Sequence, residues 1–344
     1  MVTMSDVAKA AGVSRATVSY ALRGDPRITE STAKKIREVA ASLHYNANLS
    51  ARSLRSGRTG IIGVAIFELD RPYPSEMSAA MSREIARRGY QAIVQQTSSS
   101  KDNEIAILQK VTSQLCDGMI FSPAQVADEE LRALSHGKPM VLLDDISPDP
   151  VFDSVNTACE DGAFTAVRHL INIGCKHIVA IGPSYEMLVE DRMATSVVGR
   201  RLLGCLRAFE QSDIEVGPSN FLHLPKWDPE PSRAAARAML ESARYQGVDG
   251  VFCFTDTIAL SFMRGLADCG VRVPDDIAMI GFDGISDSEY SVPSLSTIRT
   301  NLDDLAHKTV DLLIRHIENE GDDGAPQRLT ADYELIMRES TRRR

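Results

Sequence analysis

The chain has 344 residues, 43% hydrophobic and 25% charged, with a formal net charge of −9. That length exceeds one ordinary core and predicts two or three domains of globular composition. No apolar run reaches bilayer length and the start does not read as a secretory signal, so a cytoplasmic protein is expected rather than a membrane or exported one.

The charge is unevenly spread. Residues 1–58 hold ten Lys/Arg and four Asp/Glu, a net of +6, which leaves −15 for residues 59–344. A basic head on an acidic body is the asymmetry of a nucleic-acid-binding arm. Within that head, Thr3 with Asp6 three residues on makes a capping-box start for a first helix. Val7, Ala10 and Ala11 share a face at helical spacing. Gly12 suits the left-handed turn that breaks this helix, and Ser14 can cap the next. The second helix runs about Arg15–Leu22. Val18, Ala21 and Leu22 face inward and Arg15, Ala16, Ser19 and Tyr20 outward. Two helices joined by a short glycine turn are a helix-turn-helix, whose second helix enters the major groove. A third helix, about Thr29–Leu43, closes the small domain with Ile36, Val39, Ala40 and Leu43.

After residue 60 the pattern becomes alternating strands and helices. Strands are predicted at 61–67, 90–95, 118–121, 140–143, 177–181, 220–224, 250–254 and 277–281. Helices are predicted at 75–89, 101–115, 160–173, 199–212, 231–246 and 258–270. Near-continuous apolar strands between helices mean parallel sheets covered on both faces. Eight such strands fit two doubly wound halves better than one sheet. The segment 291–301 is predicted to cross back to the first half, where a helix over 302–319 packs.

Ligands of open α/β sheets bind outside the carboxyl ends of the strands, so two facing halves share one cleft. The candidates there are Ser122, Asp144-Asp145, Thr255-Asp256 and Asp283 at strand ends, and Arg201 early in a helix. Trp227, the only tryptophan, lies in a proline-rich loop. Carboxylates, one guanidinium and one indole face suit a sugar or a nucleoside-like ligand. Each also has a plainer reading: a strand-end Asp often caps a turn, Trp227 can plug the cleft, Arg201 can pair with Glu186 or Asp191, and Arg71 with Asp70. An inward Arg71 favours an anionic ligand. Adjacent acids such as Asp144 and Asp145 point apart, which argues against paired acid–base chemistry. No nucleophile elbow, phosphate loop or metal motif occurs, and the seven histidines form no cluster with ligand spacing. The six cysteines have no CxxC or metal spacing and read as buried reduced thiols of a cytosolic protein. No catalytic residue, metal or cofactor is expected.

Taken together, the chain resembles the lactose-repressor (LacI/GalR) family of bacterial transcription regulators over nearly its whole length. The most specific matches are Asp6-Val7-Ala8, Ala11-Gly12-Val13-Ser14, Thr17-Val18-Ser19, then Tyr45, Asn48 and Ala51-Arg52-Ser53-Leu54. Further on come Ile62-Gly63-Val64, Val273-Pro274-Asp275-Asp276-Ile277-Ala278, Gly281-Phe282-Asp283, Leu335-Ile336 and Arg338-Glu339-Ser340. The resemblance implies a small all-α helix-turn-helix domain plus a two-lobed, periplasmic-binding-protein-like α/β body of two doubly wound parallel sheets. The expected organisation is residues 1–45 for the DNA-binding domain and 46–60 for a hinge helix. Residues 61–159 and 292–322 are expected to make one lobe, and 160–291 and 323–344 the other.

The family would make Arg15, Ala16 and Tyr20 the base readers, with Thr17 and Ser19 on phosphates, and Thr3 and Ser14 also in the DNA-facing set. Many members carry Arg where Tyr20 stands. Arg grips guanine bidentately and Tyr does not, so the half-site departs from the usual one. The hinge would bring Asn48, Ala51, Arg52, Leu54 and Arg55 to DNA, Leu54 wedging between base pairs in the minor groove. A helix that short folds only on DNA. Effector contacts would fall on Asp144, Arg201, Trp227, Asp256 and Asp283, with Ser122, Arg71 and Tyr73 beside them. The resemblance therefore implies a repressor of a pseudopalindromic operator, a homodimer or tetramer that pairs through the first lobe and helix 75–89. A small molecule held in the cleft between the lobes, a sugar or sugar derivative, would act as its effector.

Three alternatives stay open at this point. One is a solute-binding transport protein, which the DNA head and the missing signal disfavour. Another is an enzyme with a borrowed DNA domain, which turnover of a bound sugar would reveal. The third is a ligand-independent regulator with a vestigial cleft.

Overall fold

The computed structural model describes residues 2–22, 25–45, 58–145, 147–188, 196–318 and 324–342, and the chain forms two compact units, Met1–Gly60 and Ile61–Arg344. The hinge positions Asn48, Ala51, Arg52, Leu54 and Arg55 lie outside the described residues.

The first unit holds α1 (Met4–Ala11), α2 (Arg15–Leu22) and α3 (Glu30–Ser42). Its local chemistry follows the sequence. The Asp6 backbone N–H donates to Thr3 Oγ1 at 3.4 Å, and the Thr3 N–H donates back to Asp6 Oδ2 at 2.8 Å. Gly12 ends α1 at φ 71°, where a Cβ would be strained. The Thr17 N–H donates to Ser14 Oγ at 3.1 Å and starts α2. Val7, Ala8, Ala11, Val18, Ala21 and Ile36 are buried at the crossing. Ala10, expected inside, is exposed. The helices meet on the 7–8–11 stripe, and position 10 is rotated off its flank.

The second unit contains two six-stranded sheets. The first lobe's sheet is built from β1 (Ile61–Ile66), β2 (Gln91–Gln96), β3 (Gly118–Phe121), β4 (Met140–Leu143) and β5 (Asp153–Asn156). It is entirely parallel and is completed by a late strand at Arg328–Thr330. Its helices are α4 (Pro72–Arg87), α5 (Lys101–Ile107) and α6 (Asp128–Leu134). The chain then crosses to the second lobe through α7 (Cys159–Asn172), β6 (Ile178–Gly182), α8 (Val197–Glu210) and β7 (Phe221–His223). That lobe continues with α9 (Pro229–Glu241), β8 (Gly250–Cys253), α10 (Asp256–Asp268), β9 (Ala278–Asp283), α11 (Asp287–Tyr290) and β10 (Ser296–Thr300). The last elements are α12 (Leu302–Ile317), the late strand β11 and β12 (Tyr333–Ile336), which pairs antiparallel with β10, the only such pairing of the second sheet among the described residues. Each sheet is sandwiched by helices; its central strands are buried, and the edge strands β2, β7, β11 and β12 are largely half-buried or exposed.

Two expected boundaries are corrected. Segment 292–301 does not return to the first lobe, because β10 pairs in parallel with β9, Ser296 opposite Ile280, and Ile298 is fully buried in the second core. The crossing comes at Asn301, whose side chain caps α12 through the Asp304 N–H at 3.0 Å. Residues 328–330, expected in the second lobe, belong to the first sheet, where Leu329 pairs with Val155. Strand β5 was also absent from the predicted set. Its sequence, Asp-Ser-Val-Asn, is polar, yet Asp153 is buried and satisfied by the Gln327 N–H at 2.7 Å.

Candidate functional site

The carboxyl ends of β1, β3, β4, β8 and β9 converge on a cleft between the two lobes that encloses about 600 Å³. Of the eight expected contacts, seven line it: Arg71, Tyr73, Ser122, Asp144, Arg201, Trp227 and Asp283. Glu68, Lys226, Asp228, Thr255 and Thr257 line it as well. Thr255 is one of the strand-end candidates; the other four are not among the expected contacts, although Lys226 and Asp228 flank Trp227 in the sequence.

Asp256 is the exception. It starts α10, but its carboxylate turns away from the cavity and is 0% exposed. Oδ2 accepts from the Gly284 and Ile285 N–H groups at 2.9 and 3.0 Å and from Ser288 Oγ at 2.8 Å, while Oδ1 accepts from Thr297 Oγ1 at 2.7 Å. Gly281 must be glycine here, since a Cβ would lie 2.1 Å from Asp256 Oδ1. Asp256 therefore holds the loop that follows Asp283 and is a positioning residue. Its neighbours Thr255 and Thr257 face the cavity instead, because successive residues at a helix start point in different directions.

The floor of the cleft is charged and buried. Arg201 and Asp283 are 4% and 5% exposed and paired at 3.1 Å, so Arg201 is not a surface partner of Glu186, and Asp191 lies outside the described residues. The Arg201 guanidinium also donates to the Phe254 carbonyl and lies 3.8 Å above the centre of the Phe282 ring. Asp144 accepts the Thr157 N–H and hydroxyl, both at 2.7 Å, on a single oxygen. Asp145 faces elsewhere and accepts the Ser147 N–H at 2.9 Å, so the adjacent acids do point apart. Both cleft carboxylates sit on strained backbone, Asp144 at φ 54° and Asp283 at φ 114°. Burial pushes the Asp283 carboxyl up to about 7, against the opposing pull of Arg201. Burial also raises Asp144 and, with the Asp144 charge, moves the Tyr73 phenol well above its usual range. The Tyr73 hydroxyl is buried with no hydrogen-bond partner among the described residues.

The wall and mouth come from both lobes. Trp227 packs edge-on against Phe254, ring centroids 6.1 Å apart, over Gly182, where a Cβ would come within 3.3 Å of the indole. Arg71 does not pair with Asp70. It reaches across to the Trp227 carbonyl at 3.0 Å and to the Asp228 carboxylate, and pairs with Glu68 at 3.1 Å. A second bridge joins the lobes where the Ser286 N–H donates to Glu76 at 3.0 Å. Arg71 is thus committed to closing the cleft, which removes the ground for an anionic ligand.

In the first unit, Arg15 and Ala16 are exposed on α2 and Thr17, Ser19 and Tyr20 half-buried. The hydroxyls of Thr3 and Ser14 serve the helix starts. Among the described residues no group of three His, Cys, Asp or Glu is placed to hold a metal, and no helix is long and apolar enough to cross a membrane.

A helix-turn-helix unit and a two-lobed ligand cleft in one chain define a DNA-binding regulator under small-molecule control. Comparison with known proteins agrees. Residues 3–48 match the model for bacterial regulatory proteins of the lacI family, and residues 167–341 match the periplasmic binding protein-like domain. The ribose operon repressor of Halalkalibacterium halodurans is 30% identical, covering 99% of this chain and 98% of the relative. The HTH-type transcriptional repressor PurR of Actinobacillus pleuropneumoniae is 27% identical over 99% of both. The structure of the Lac repressor dimer bound to operator and an anti-inducer superposes with a TM-score of 0.81 at 25% identity, covering 99% of each chain. The chain belongs to the lacI family of bacterial regulatory proteins and is a DNA-binding, ligand-regulated transcriptional repressor.

Proposed function

We propose that the effector is an uncharged, polyhydroxylated small molecule, a sugar or sugar derivative, held between the lobes. The observation that carries this is the Tyr73 hydroxyl, buried without a partner in the wall of a cavity shared by Asp144, Arg201, Asp283 and Trp227. A sugar hydroxyl gives and accepts hydrogen bonds and so suits phenol, carboxylate and guanidinium at once. Its apolar face suits the indole. Two carboxylates against one buried guanidinium disfavour an anion at the floor. The transcriptional regulator CelR, a solved structure of the same fold, forms a complex with cellobiose. Effector binding without turnover is part of the proposal.

The test is a thermal-shift screen over sugars, nucleosides and phosphosugars, followed by a gel shift with each hit. A neutral sugar is expected to raise the melting temperature and to change operator affinity. A nucleoside hit, or none, would refute the assignment. Trp227→Ala is expected to weaken effector binding about tenfold while operator affinity without effector stays unchanged, measured by calorimetry and gel shift.

We also propose that the protein acts as a two-fold dimer on a pseudopalindromic operator, with the DNA-facing set read from the sequence, including the hinge residues. Two-fold protein requires two-fold DNA. The expected face on α4 presents Ser75, Ala79, Arg83 and Ala86 outward, its apolar side being buried. The second lobe adds a self-complementary patch. Tyr290 and Val292, 79% and 93% exposed, stand beside an apolar groove lined by Met263 and Val271 and flanked by Arg264 and Asp287. A knob next to a hole, with opposite charges beside them, fits a second copy of itself about a two-fold axis. Val292→Glu is therefore expected to shift sedimentation velocity from dimer to monomer and to lower operator affinity. A dimer that survives this change at micromolar concentration would exclude the patch.

A further inference from the structure

The loop between α2 and α3 contains an arginine that is fixed although it is exposed. Arg27 donates Nε and Nη2 to the two oxygens of Asp25 at 2.9 and 2.7 Å, and its backbone N–H to Asp25 Oδ1 at 3.1 Å. The Asp25 N–H in turn donates to the Tyr20 carbonyl at 3.1 Å. The Arg27 guanidinium lies 4.2 Å from the centre of the Tyr20 ring. The Arg27 side chain is nevertheless 66% exposed. Exposed ion pairs and exposed cation–π contacts contribute little to folding, so stability does not account for an arginine pinned at three points.

Orientation does account for it. Asp25 takes the Nε/Nη2 edge and leaves the Nη1 side as a planar fork of fixed direction. Bidentate guanine O6/N7 recognition needs such a fork. A phosphate contact needs only charge, and the Asp25 carboxylate would weaken it. Position 20 supplies a ring on the outward face of α2, and Arg27 lies directly on that ring. We propose that Arg27, buttressed by Asp25 and stacked on Tyr20, reads a guanine in the operator half-site next to the base pair that Tyr20 meets. The inference rests on the reading of α2 as the groove-facing helix with Tyr20 turned to DNA.

The test is selection of randomised half-site duplexes by the full-length protein and by R27A, R27K and Y20A, with the salt dependence of binding to a fixed unrelated duplex measured alongside. Melting temperatures control for folding. R27A is expected to lose guanine preference at one position by about tenfold or more, with nonspecific affinity and salt slope unchanged. R27K keeps the charge but not the fork and is expected to lose most of the same preference. If R27A weakens all duplexes equally and the salt slope falls by about one, Arg27 is a phosphate contact and the proposal is wrong. No change at any position in R27A, while Y20A alters selection, overturns the proposal and leaves the groove reading intact. Unaltered selection in Y20A overturns both.

Discussion

Asp283→Ala lowers the unfolding free energy by about 3–5 kcal/mol, the range for removing one partner of a buried ion pair. Without that carboxylate the Arg201 guanidinium stays buried beneath the cleft beside neutral partners, the Phe254 carbonyl, the Phe282 ring and the Cys159 thiol. Urea denaturation at neutral pH measures the loss. Two companion variants separate the causes. Asp283→Gly suffers the same loss of charge but relieves the φ of 114°, and so retains on the order of 1 kcal/mol over the alanine variant. Arg201→Met with Asp283→Asn leaves no uncompensated charge and is expected to lose much less than the sum of the single changes. In a gel shift, Asp283→Asn is expected to bind operator without responding to the effector. A loss below 1 kcal/mol for the alanine variant would mean that Arg201 finds another partner.

The second large effect concerns Asp256. Alanine there orphans four donors, the Gly284 and Ile285 N–H groups and the hydroxyls of Ser288 and Thr297. At about 1–3 kcal/mol for each buried unsatisfied group, the variant is expected to be among the least stable single changes in the second unit. The same site predicts a pH dependence. Burial raises the Asp256 carboxyl from 3.8 to about 6. The folded state therefore holds this proton more tightly than the unfolded state. The contribution is complete below about pH 4 and is lost as pH rises through about 6, on the order of 3 kcal/mol in all. Paired carboxylates act in the opposite sense: Glu84, held down to about 2 chiefly by Arg87, contributes above its unfolded value and loses that contribution in acid. Comparison with Asp256→Asn isolates the buried acid. The stability advantage of the wild type over Asp256→Asn should shrink between pH 4 and 7, and a flat difference would show that Asp256 stays ionised throughout.

Much of the site was legible because strand ends announce themselves. Val141-Leu142-Leu143 followed by Asp144, and Ile280-Gly281-Phe282 followed by Asp283, are apolar runs that stop at an acid where a parallel sheet opens. Asp256 followed the same rule after Val251–Phe254 and turned the other way, because three donors from the 284–288 segment and Thr297 on β10 hold its carboxylate. Arg71 was legible as a cleft residue but not as a bridge, since its partners Trp227 and Asp228 lie more than 150 residues away.

The sequence by itself determined the recognition unit, because a capping box, one left-handed glycine and a helical apolar stripe act within about twenty residues. It also determined the two-lobed α/β class, from strand and helix periods that need no long-range information. Only the tertiary structure decided that β10 stays with the second sheet and β11 joins the first. It alone decided that Arg201 is buried against Asp283, and that Arg27 is locked on Tyr20. These depend on which groups meet across space and on which of them water can no longer reach, and neither is encoded in local spacing.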